Sequence, residues 1–536
     1  MSLHPRRSFL GRAASAAVAL GADSWLARLA QAQSASTRAR VIVDPARTVA
    51  ALDRRLFGSF LEHLGRAIYG GIYEPGSKLA DADGFRKDVL DEVRTLGVPI
   101  VRYPGGNFVS GYDWRDGVGP KADRPRVLER AWNSTETNQF GTNEFMGWCR
   151  AVGTEPLFGL NLGTGTPETA AALVEYCNLE KGTRWSDLRR RHGVEKPHGV
   201  KRWCLGNEMD GPWQIGHMTA AEYGRKATDA ARQMRVVDPS LQLVACGSSG
   251  PGMPTFLEWD REVLEECYDV VDAISLHRYF GLQDAQAIDD NARFLSLNLE
   301  MDRQIEEVAA VCDLVRGRKR SAKRLWLSFD EWNVWYRQRD GNGQRQEAPR
   351  LLEEIYDLRD ALVAGGAINT LLRHADRVRL ACLAQLVNVI APIFTNADGL
   401  FRQTIYYPYA WGLAHAKGDV LDLVPEGGDA YDSPKTGRVP YLDVAGTFDR
   451  ESGRSCLLVL NRHLDKPREL ELVWRDGAPA RVVSAEALTG PDLKAVNSFA
   501  EPKRVVPQPL APPKPGARMM LELPPRSYSV VVLAVS

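Results

Sequence analysis

Eight short apolar runs separated by amphipathic stretches fill residues 52–395, and no other feature constrains the fold as strongly. They are 56–62 (LFGSFLE), 98–104 (VPIVRYP), 156–163 (PLFGLNLG), 201–207 (KRWCLGN), 241–247 (LQLVACG), 272–278 (DAISLHR), 325–331 (LWLSFDE) and 381–387 (ACLAQLV). Between them lie segments such as DGFRKDVLDEVRTLG (83–97) and AAEYGRKATDAARQMRVV (220–237), whose apolar residues recur at helical spacing. Asp238 and Pro239 stop the second of these. Strands alternating with helices form parallel sheets, and eight strands are the number that closes a parallel barrel. The chain is therefore expected to be α/β, with a (β/α)8 TIM barrel over residues 52–410.

Beyond about residue 410 the texture changes. Short alternating runs (SCLLVLNRH, ELELVWRDG, RVVSAEAL, MMLELPPRSYSVVVLAVS), broken by Gly and Pro, predict an all-β sandwich over 411–536. ARVIVDPA (39–46) is a lone strand ahead of the barrel, so 39–51 is assigned to the same sandwich, and the Pro-rich 502–517 to a loop within it.

At the N-terminus, Arg6 and Arg7 precede a short Ala-rich apolar stretch and the small residues AQA at 30–32. This pattern predicts a twin-arginine signal peptide over 1–32 and a chain exported already folded to the periplasm or beyond. The apolar part is too short, and too interrupted by Arg12, to be a stable membrane anchor. Equal numbers of acidic and basic side chains, 68 of each, argue against nucleic acid or a membrane surface as partner and suit a neutral ligand. Thirteen Trp and sixteen Tyr supply surfaces on which a sugar ring can pack, although aromatic residues also fill ordinary cores. The eight cysteines (149, 177, 204, 246, 267, 312, 382 and 456) form no C-x-x-C pair, and most read as buried thiols.

In a barrel of this kind chemistry gathers at the carboxyl ends of the strands. Seven of the eight runs end on, or carry there, polar groups: Glu62 and His63, Arg102, Asn161, Asn207 and Glu208, His277 and Tyr279, Asp330 and Glu331, and Gln385. A purely structural core would scatter such residues. Glu208 and Glu331 stand out, because they lie roughly three strand-and-helix units apart and so face each other across one mouth. Two carboxylates flanking a bond are what glycoside cleavage requires, one to protonate the leaving oxygen and one to attack or to activate water. Taken one motif at a time, Glu208 pairing with Arg202 or Arg102 and Glu331 capping a strand would fit equally well. His63 beside Glu62 has no H-x-H or H-E-x-x-H companion, so no metal is expected. Gly105 and Gly106 lie in no phosphate-binding pattern, so no cofactor is expected either; they let the backbone turn sharply close to a sugar.

The blocks GSFLEHLGRAIYGGIYEPG, RYPGGNFVSGY, GNEMDGPWQIGH, LSFDEWNVWY and AQLVNVIAPI, in that order, resemble the family 51 glycoside hydrolases, the α-L-arabinofuranosidases. The resemblance implies that Glu208 is the general acid/base and Glu331 the nucleophile of a retaining reaction. It also implies that Glu62, Arg102, Asn107, Asn207 and Gln385 bind furanose hydroxyls, that Tyr279 supports the nucleophile, and that His277 belongs to the polar network. Trp132, Trp213 and Trp335 fall in loops at the mouth, as does the Gly- and charge-rich 338–350. The implied substrate is an arabinose-containing oligosaccharide or polysaccharide, and the implied assembly a homo-oligomer, typically a hexamer. A retaining enzyme for β-xylosides or β-glucans, or a non-catalytic sugar binder on the same fold, are the alternatives.

Overall fold

The computed structural model describes residues 38–335 and 343–535. The signal-peptide assignment and residues 338–342 of the mouth loop lie outside them.

Eight parallel strands close a barrel in sequence order. They are β1 (Gly58–Phe60), β2 (Ile100–Tyr103), β3 (Glu155–Gly159), β4 (Arg202–Leu205), β5 (Gln242–Ala245), β6 (Ala273–Gly281), β7 (Trp326–Trp335) and β8 (Val378–Ala384). Each coincides with one of the apolar runs, because strands covered by helices outside and by packed side chains inside are apolar on both faces. Two boundaries differ from the sequence reading. The first run opens with a 3-10 turn over Arg54–Phe57, capped by the Asp53 side chain, which leaves only three residues for β1. β8 begins three residues earlier than expected, so Gln385 sits just past its end. Among the helices, Ala220–Val237 starts at a reciprocal cap in which Glu222 accepts from the Thr219 N–H at 3.0 Å and Thr219 Oγ1 accepts from the Glu222 N–H at 3.4 Å.

The C-terminal region, with residues 38–51, builds two large sheets beside a two-stranded hairpin of Ala430–Ser433 and Gly437–Pro440. One has seven strands in the order Thr48–Ala51, Asp419–Leu421, Leu442–Asp449, Arg454–Asn461, Ser527–Val535, Pro479–Leu488 and Gln508–Pro509. The other has four: Pro425–Gly427, Arg38–Val43, Arg468–Trp474 and Arg518–Leu523. The strand Arg38–Val43 runs parallel to Arg468–Trp474, so the start of the described chain is knitted into its end.

The middle strands of the seven-stranded sheet are buried on both faces. In Ser527–Val535, Tyr528, Val530 and Val532 pack into the barrel core, while Val531 and Leu533 pack against the four-stranded sheet. Successive side chains of a strand point to opposite faces, so an unbroken apolar run is what a doubly covered strand needs. The barrel helix Leu358–Arg373 approaches so closely that a Cβ on Gly365 would lie 2.6 Å from the Tyr528 ring. Beside this contact, Asp443 of the sheet accepts from Arg373 Nη1 at 2.6 Å, from Arg462 Nη2 at 2.5 Å and from Asn298 Nδ2 at 2.9 Å. Asp443 and Arg462 are fully buried. All eight cysteines are buried and unpaired.

Candidate active site

At the carboxyl end of β4 the chain turns through Gly206, at φ 104°, and Glu208, at φ 45°. Glycine adopts this left-handed backbone freely, whereas a glutamate there is strained and must be held by its surroundings. Those holds are present. The Gly211 N–H donates to the Glu208 carbonyl at 2.9 Å, His277 Nδ1 lies 2.9 Å from Glu208 Oε1, and Trp213 Nε1 donates to Oε2 at 2.8 Å. Burial drives the Glu208 carboxyl above the usual range; the hydrogen bonds from His277 and Trp213 work against burial, and the charge of Glu331 adds to it.

Glu331 projects from β7 and is gripped on both oxygens. Arg102 Nη1, from β2, donates to Oε1 at 2.5 Å, and Tyr279 Oη, from β6, donates to Oε2 at 2.8 Å. Arg102 is itself fully buried; its Nη2 donates to Asn207 Oδ1 at 2.8 Å, and its guanidinium lies 4.8 Å from the centre of the Phe60 ring. Asn207 passes the connection on to Gln214, whose Nε2 donates to Ser110 Oγ at 2.5 Å.

His277 joins the two carboxylates from below. Its Nδ1 faces Glu208 and stands 3.6 Å from Glu331 Oε2, while Nε2 lies 3.2 Å from Asp330 Oδ1. Burial alone would lower its pKa, but the negative charge of Glu331 and the hydrogen bonds to Asp330 and Glu208 outweigh that and push it up to about 10. One atom each from Glu208, His277 and Glu331 lie within 4.8 Å of one another. Within the protein these atoms already have partners: His277 Nδ1 is paired with Glu208, and Glu331 is held by Arg102 and Tyr279.

Glu62, Asn107, Trp132, Glu208, Trp213, Tyr279, Glu331, Trp335 and Gln385 line one cleft of about 800 Å³. Arg102, Asn207 and His277 lie directly behind that wall, where Arg102 and His277 touch the carboxylates and Asn207 holds Arg102. Glu62 is enclosed: its Oε1 accepts from the Phe108 N–H at 2.9 Å and from Trp132 Nε1 at 3.0 Å, and its N–H donates to Gln385 Oε1 at 2.9 Å. Burial pushes its pKa up to about 8. Trp335 meets Tyr279 edge to face at 5.1 Å. His63 is buried behind Glu62 between Glu136 and Tyr103, each 2.8 Å from a ring nitrogen.

Several contributors carry no sequence signal of their own. Gln214 and Ser110 are ordinary polar residues whose contacts exist only in the fold. The wall formed by Ser249, Gly250, Gly252 and Met253 follows β5, the one strand whose run has no reactive residue at its end. The glycines of GSSGPGM (247–253) were its only trace.

Comparison with known proteins agrees with this geometry. Residues 92–293 match the model of the α-L-arabinofuranosidase 1 domain, and residues 330–527 that of the α-L-arabinofuranosidase C-terminal domain. An intracellular exo-α-(1→5)-L-arabinofuranosidase of Bacillus subtilis is 48% identical over 88% of this chain and 93% of its own. An exo-α-(1→6)-L-arabinofuranosidase of Bifidobacterium longum is 44% identical over 92% and 96%. The solved structure of a family 51 α-L-arabinofuranosidase from Bifidobacterium longum superposes with a TM-score of 0.87 at 40% identity, covering 92% of this chain and 99% of that one.

These relatives correct the expectation of export. Proteins from Bacillus subtilis, Halalkalibacterium halodurans and Acetivibrio thermocellus, 47% to 49% identical, are all named intracellular. An arginine pair ahead of a brief Ala-rich run that Arg12 interrupts is too small a pattern to stand against them. By sequence, fold and the carboxylates at the mouth of its barrel, the chain belongs to the family 51 glycoside hydrolases, the α-L-arabinofuranosidases.

Proposed function

We propose that the protein is a retaining, exo-acting α-L-arabinofuranosidase that releases terminal arabinofuranosyl residues from arabinan, arabinoxylan or the oligosaccharides derived from them. The observation that carries this reading is the pairing of Glu208 with Glu331, with one oxygen of each inside a 4.8 Å cluster and with opposite surroundings. Retaining enzymes hold their carboxyl groups about 5 to 5.5 Å apart, whereas inverting enzymes leave roughly 6.5 to 9.5 Å for a water. The relatives' names support the sugar and the exo mode, and point to action inside the cell.

In this reading Glu331 Oε attacks the anomeric carbon as the bond to the leaving oxygen breaks, and Glu208 gives that oxygen its proton. A glycosyl ester on Glu331 results. Forming the ester removes the negative charge that helped keep Glu208 protonated, so Glu208 then takes a proton from water as the water oxygen attacks the same carbon and Glu331 departs. Tyr279 and Arg102 orient the nucleophile. Glu62, Asn107 and Gln385 serve the furanose hydroxyls from the wall, with Asn207 assigned to the same group by the family resemblance, and such polar partners reject sugars lacking those hydroxyls more sharply than an apolar wall would. Trp132, Trp213 and Trp335 give the ring and its neighbour surfaces to pack on. His277, flanked by three carboxylates, holds the acid/base in place. The reading extends to a homo-oligomer, a hexamer, on the family resemblance alone; sedimentation of the purified chain tests that part.

Hydrolysis of an aryl α-L-arabinofuranoside beside the matching β-xyloside and β-glucoside tests the substrate. Clear preference for the arabinofuranoside is the expected result. Preference for another sugar would keep the two-carboxylate chemistry but reject the assignment of the pocket, and no turnover of any of the three by folded protein would reject the enzyme reading altogether.

A further inference from the structure

The cleft has two sides, and the order of the barrel strands assigns them. β8, β1 and β2 are neighbours and bring Gln385, Glu62 and Asn107 to one side. β4 and β5 are also neighbours, and bring Glu208, Trp213 and the Ser249–Met253 wall to the other. On the proposed reading the leaving group departs over its proton donor, so the Glu208 side receives whatever the arabinofuranosyl unit was attached to.

On that side one residue joins the loop to the Glu208 turn. Asp210, two positions after Glu208, accepts from Ser248 Oγ at 2.8 Å, from the Ser249 N–H at 3.1 Å and from the Ser249 hydroxyl. A second carboxylate, Asp260, grips the loop from outside, accepting from the Ser248 N–H at 3.0 Å and the Leu257 N–H at 3.2 Å. Among the described residues, Asp210 is the side chain that hydrogen-bonds the loop to the turn that carries the acid/base. Gly211 continues that turn, where a Cβ would lie 2.6 Å from the Trp213 indole, so Trp213 is pressed into place against Glu208. Short segments fixed at both ends by charge-assisted hydrogen bonds make a preformed subsite, which binds without first having to be ordered.

The geometry points to Asp210 as the positioning residue of the leaving-group subsite: it locks the Ser249–Met253 wall to the Glu208 turn and so sets how well a second sugar unit is seated. Asp210 does not touch the reacting atoms. Its carboxylate is spent on the loop, and removing it frees the wall while the grip of Arg102 and Tyr279 on Glu331 stays intact.

The inference rests on the arabinofuranosidase reading, and the test separates the two. The purified full chain and its Asp210→Ala and Asp210→Asn variants are assayed on an arabinofuranosyl disaccharide and on arabinofuranosyl fluoride, whose leaving atom needs neither a subsite nor a proton. Asp210→Ala should lose kcat/KM on the disaccharide on the order of 10- to 100-fold, mainly through KM, since misplacement by about 1 Å costs that much. It should stay within about threefold of the parent on the fluoride, the range in which a lost remote contact leaves the reacting geometry alone. Asp210→Asn, which keeps one acceptor oxygen, should fall between. Equal losses on both substrates, or none on the disaccharide, would overturn the inference. A parent enzyme that hydrolyses neither substrate would overturn the functional reading instead. Ser248→Ala, which removes one bond to Asp210 at a residue off the cleft wall and keeps the Ser248 N–H bond to Asp260, repeats the test with a smaller change should Asp210→Ala fail to fold; a loss confined to the disaccharide supports the inference, and an equal loss on both substrates rejects it.

Discussion

Arg102 donates to Glu331 Oε1 at 2.5 Å across the barrel interior, and through its other terminal nitrogen holds Asn207, the residue before Glu208. One buried cation thus faces one carboxylate and only braces the backbone of the other. Glu208 has instead the His277 ring, which it shares with Asp330, and an indole N–H as partners. The two glutamates are chemically identical, and the asymmetry of their surroundings divides the roles.

Replacing each glutamate should expose that division. Glu208→Ala is expected to reduce hydrolysis of an arabinofuranosyl disaccharide by about 10²- to 10⁴-fold, the usual worth of a placed general acid. Aryl glycosides with good leaving groups need no proton for the first step and should suffer far less in that step. Added azide should restore turnover by intercepting the ester, giving an arabinofuranosyl azide of retained configuration. Glu331→Ala should abolish turnover of both substrates, with no rescue of that configuration. Similar mild losses in the two variants would reject the assignment.

The pH profile should respond to Trp213. Its N–H stabilises the charged form of Glu208, so removing it raises the pKa of the acid. A net hydrogen bond of roughly 0.5 to 1.5 kcal/mol corresponds to about 0.4 to 1 pH unit. Trp213→Phe should therefore move the alkaline limb of kcat/KM upward by that amount. A limb that moves down, or does not move, would show that Glu208 is not the group titrating there.

The barrel was readable because both faces of each strand are covered, which concentrates apolar residues into runs that stand out from amphipathic helices. The polar side chains that meet at its mouth were readable because they fall at the carboxyl ends of those runs, Glu208 and Glu331 among them. What sequence did not show depends on contacts between distant segments. Gln214 acts through Ser110, and the loop after β5 contributes through glycines and two serines rather than any reactive side chain. The double burial of Ser527–Val535 was also hidden, since SYSVVVLAV reads as a strand whichever faces are covered.

Gly365 should resist a residue that its helix would otherwise welcome. Alanine is better than glycine within a helix by up to about 1 kcal/mol. Here, however, the new methyl would lie 2.6 Å from the Tyr528 ring, with the seven-stranded sheet behind it. Overpacking of this kind costs about 1 to 3 kcal/mol, so Gly365→Ala should lower the unfolding free energy measured in denaturant. Gly365→Ala combined with Tyr528→Leu should recover part of the loss, which a simple helix effect would not produce.

Asp443 should govern acid stability. Burial would raise its pKa, but Arg373 and Arg462 beside it outweigh burial, and its folded value is depressed. A depressed carboxyl contributes stability that is present above its unfolded pKa, about 3.9, and is lost as pH falls through the folded value. The parent should therefore lose stability as pH drops below about 4. Asp443→Asn removes the partner of two buried guanidiniums, one on the barrel helix Leu358–Arg373 and one on the sandwich. Arg373 keeps Asp302 at 2.9 Å, but Arg462 loses its acidic partner, and leaving a buried charge uncompensated costs about 3 to 5 kcal/mol at neutral pH. The variant should be much less stable at pH 7 and should show a flatter decline below about pH 4, because the group that titrates is gone. Denaturant unfolding at several pH values measures both effects. A variant as stable as the parent at pH 7, or one with an unchanged acid limb, would show that this ion cluster does not hold the barrel and the sandwich together.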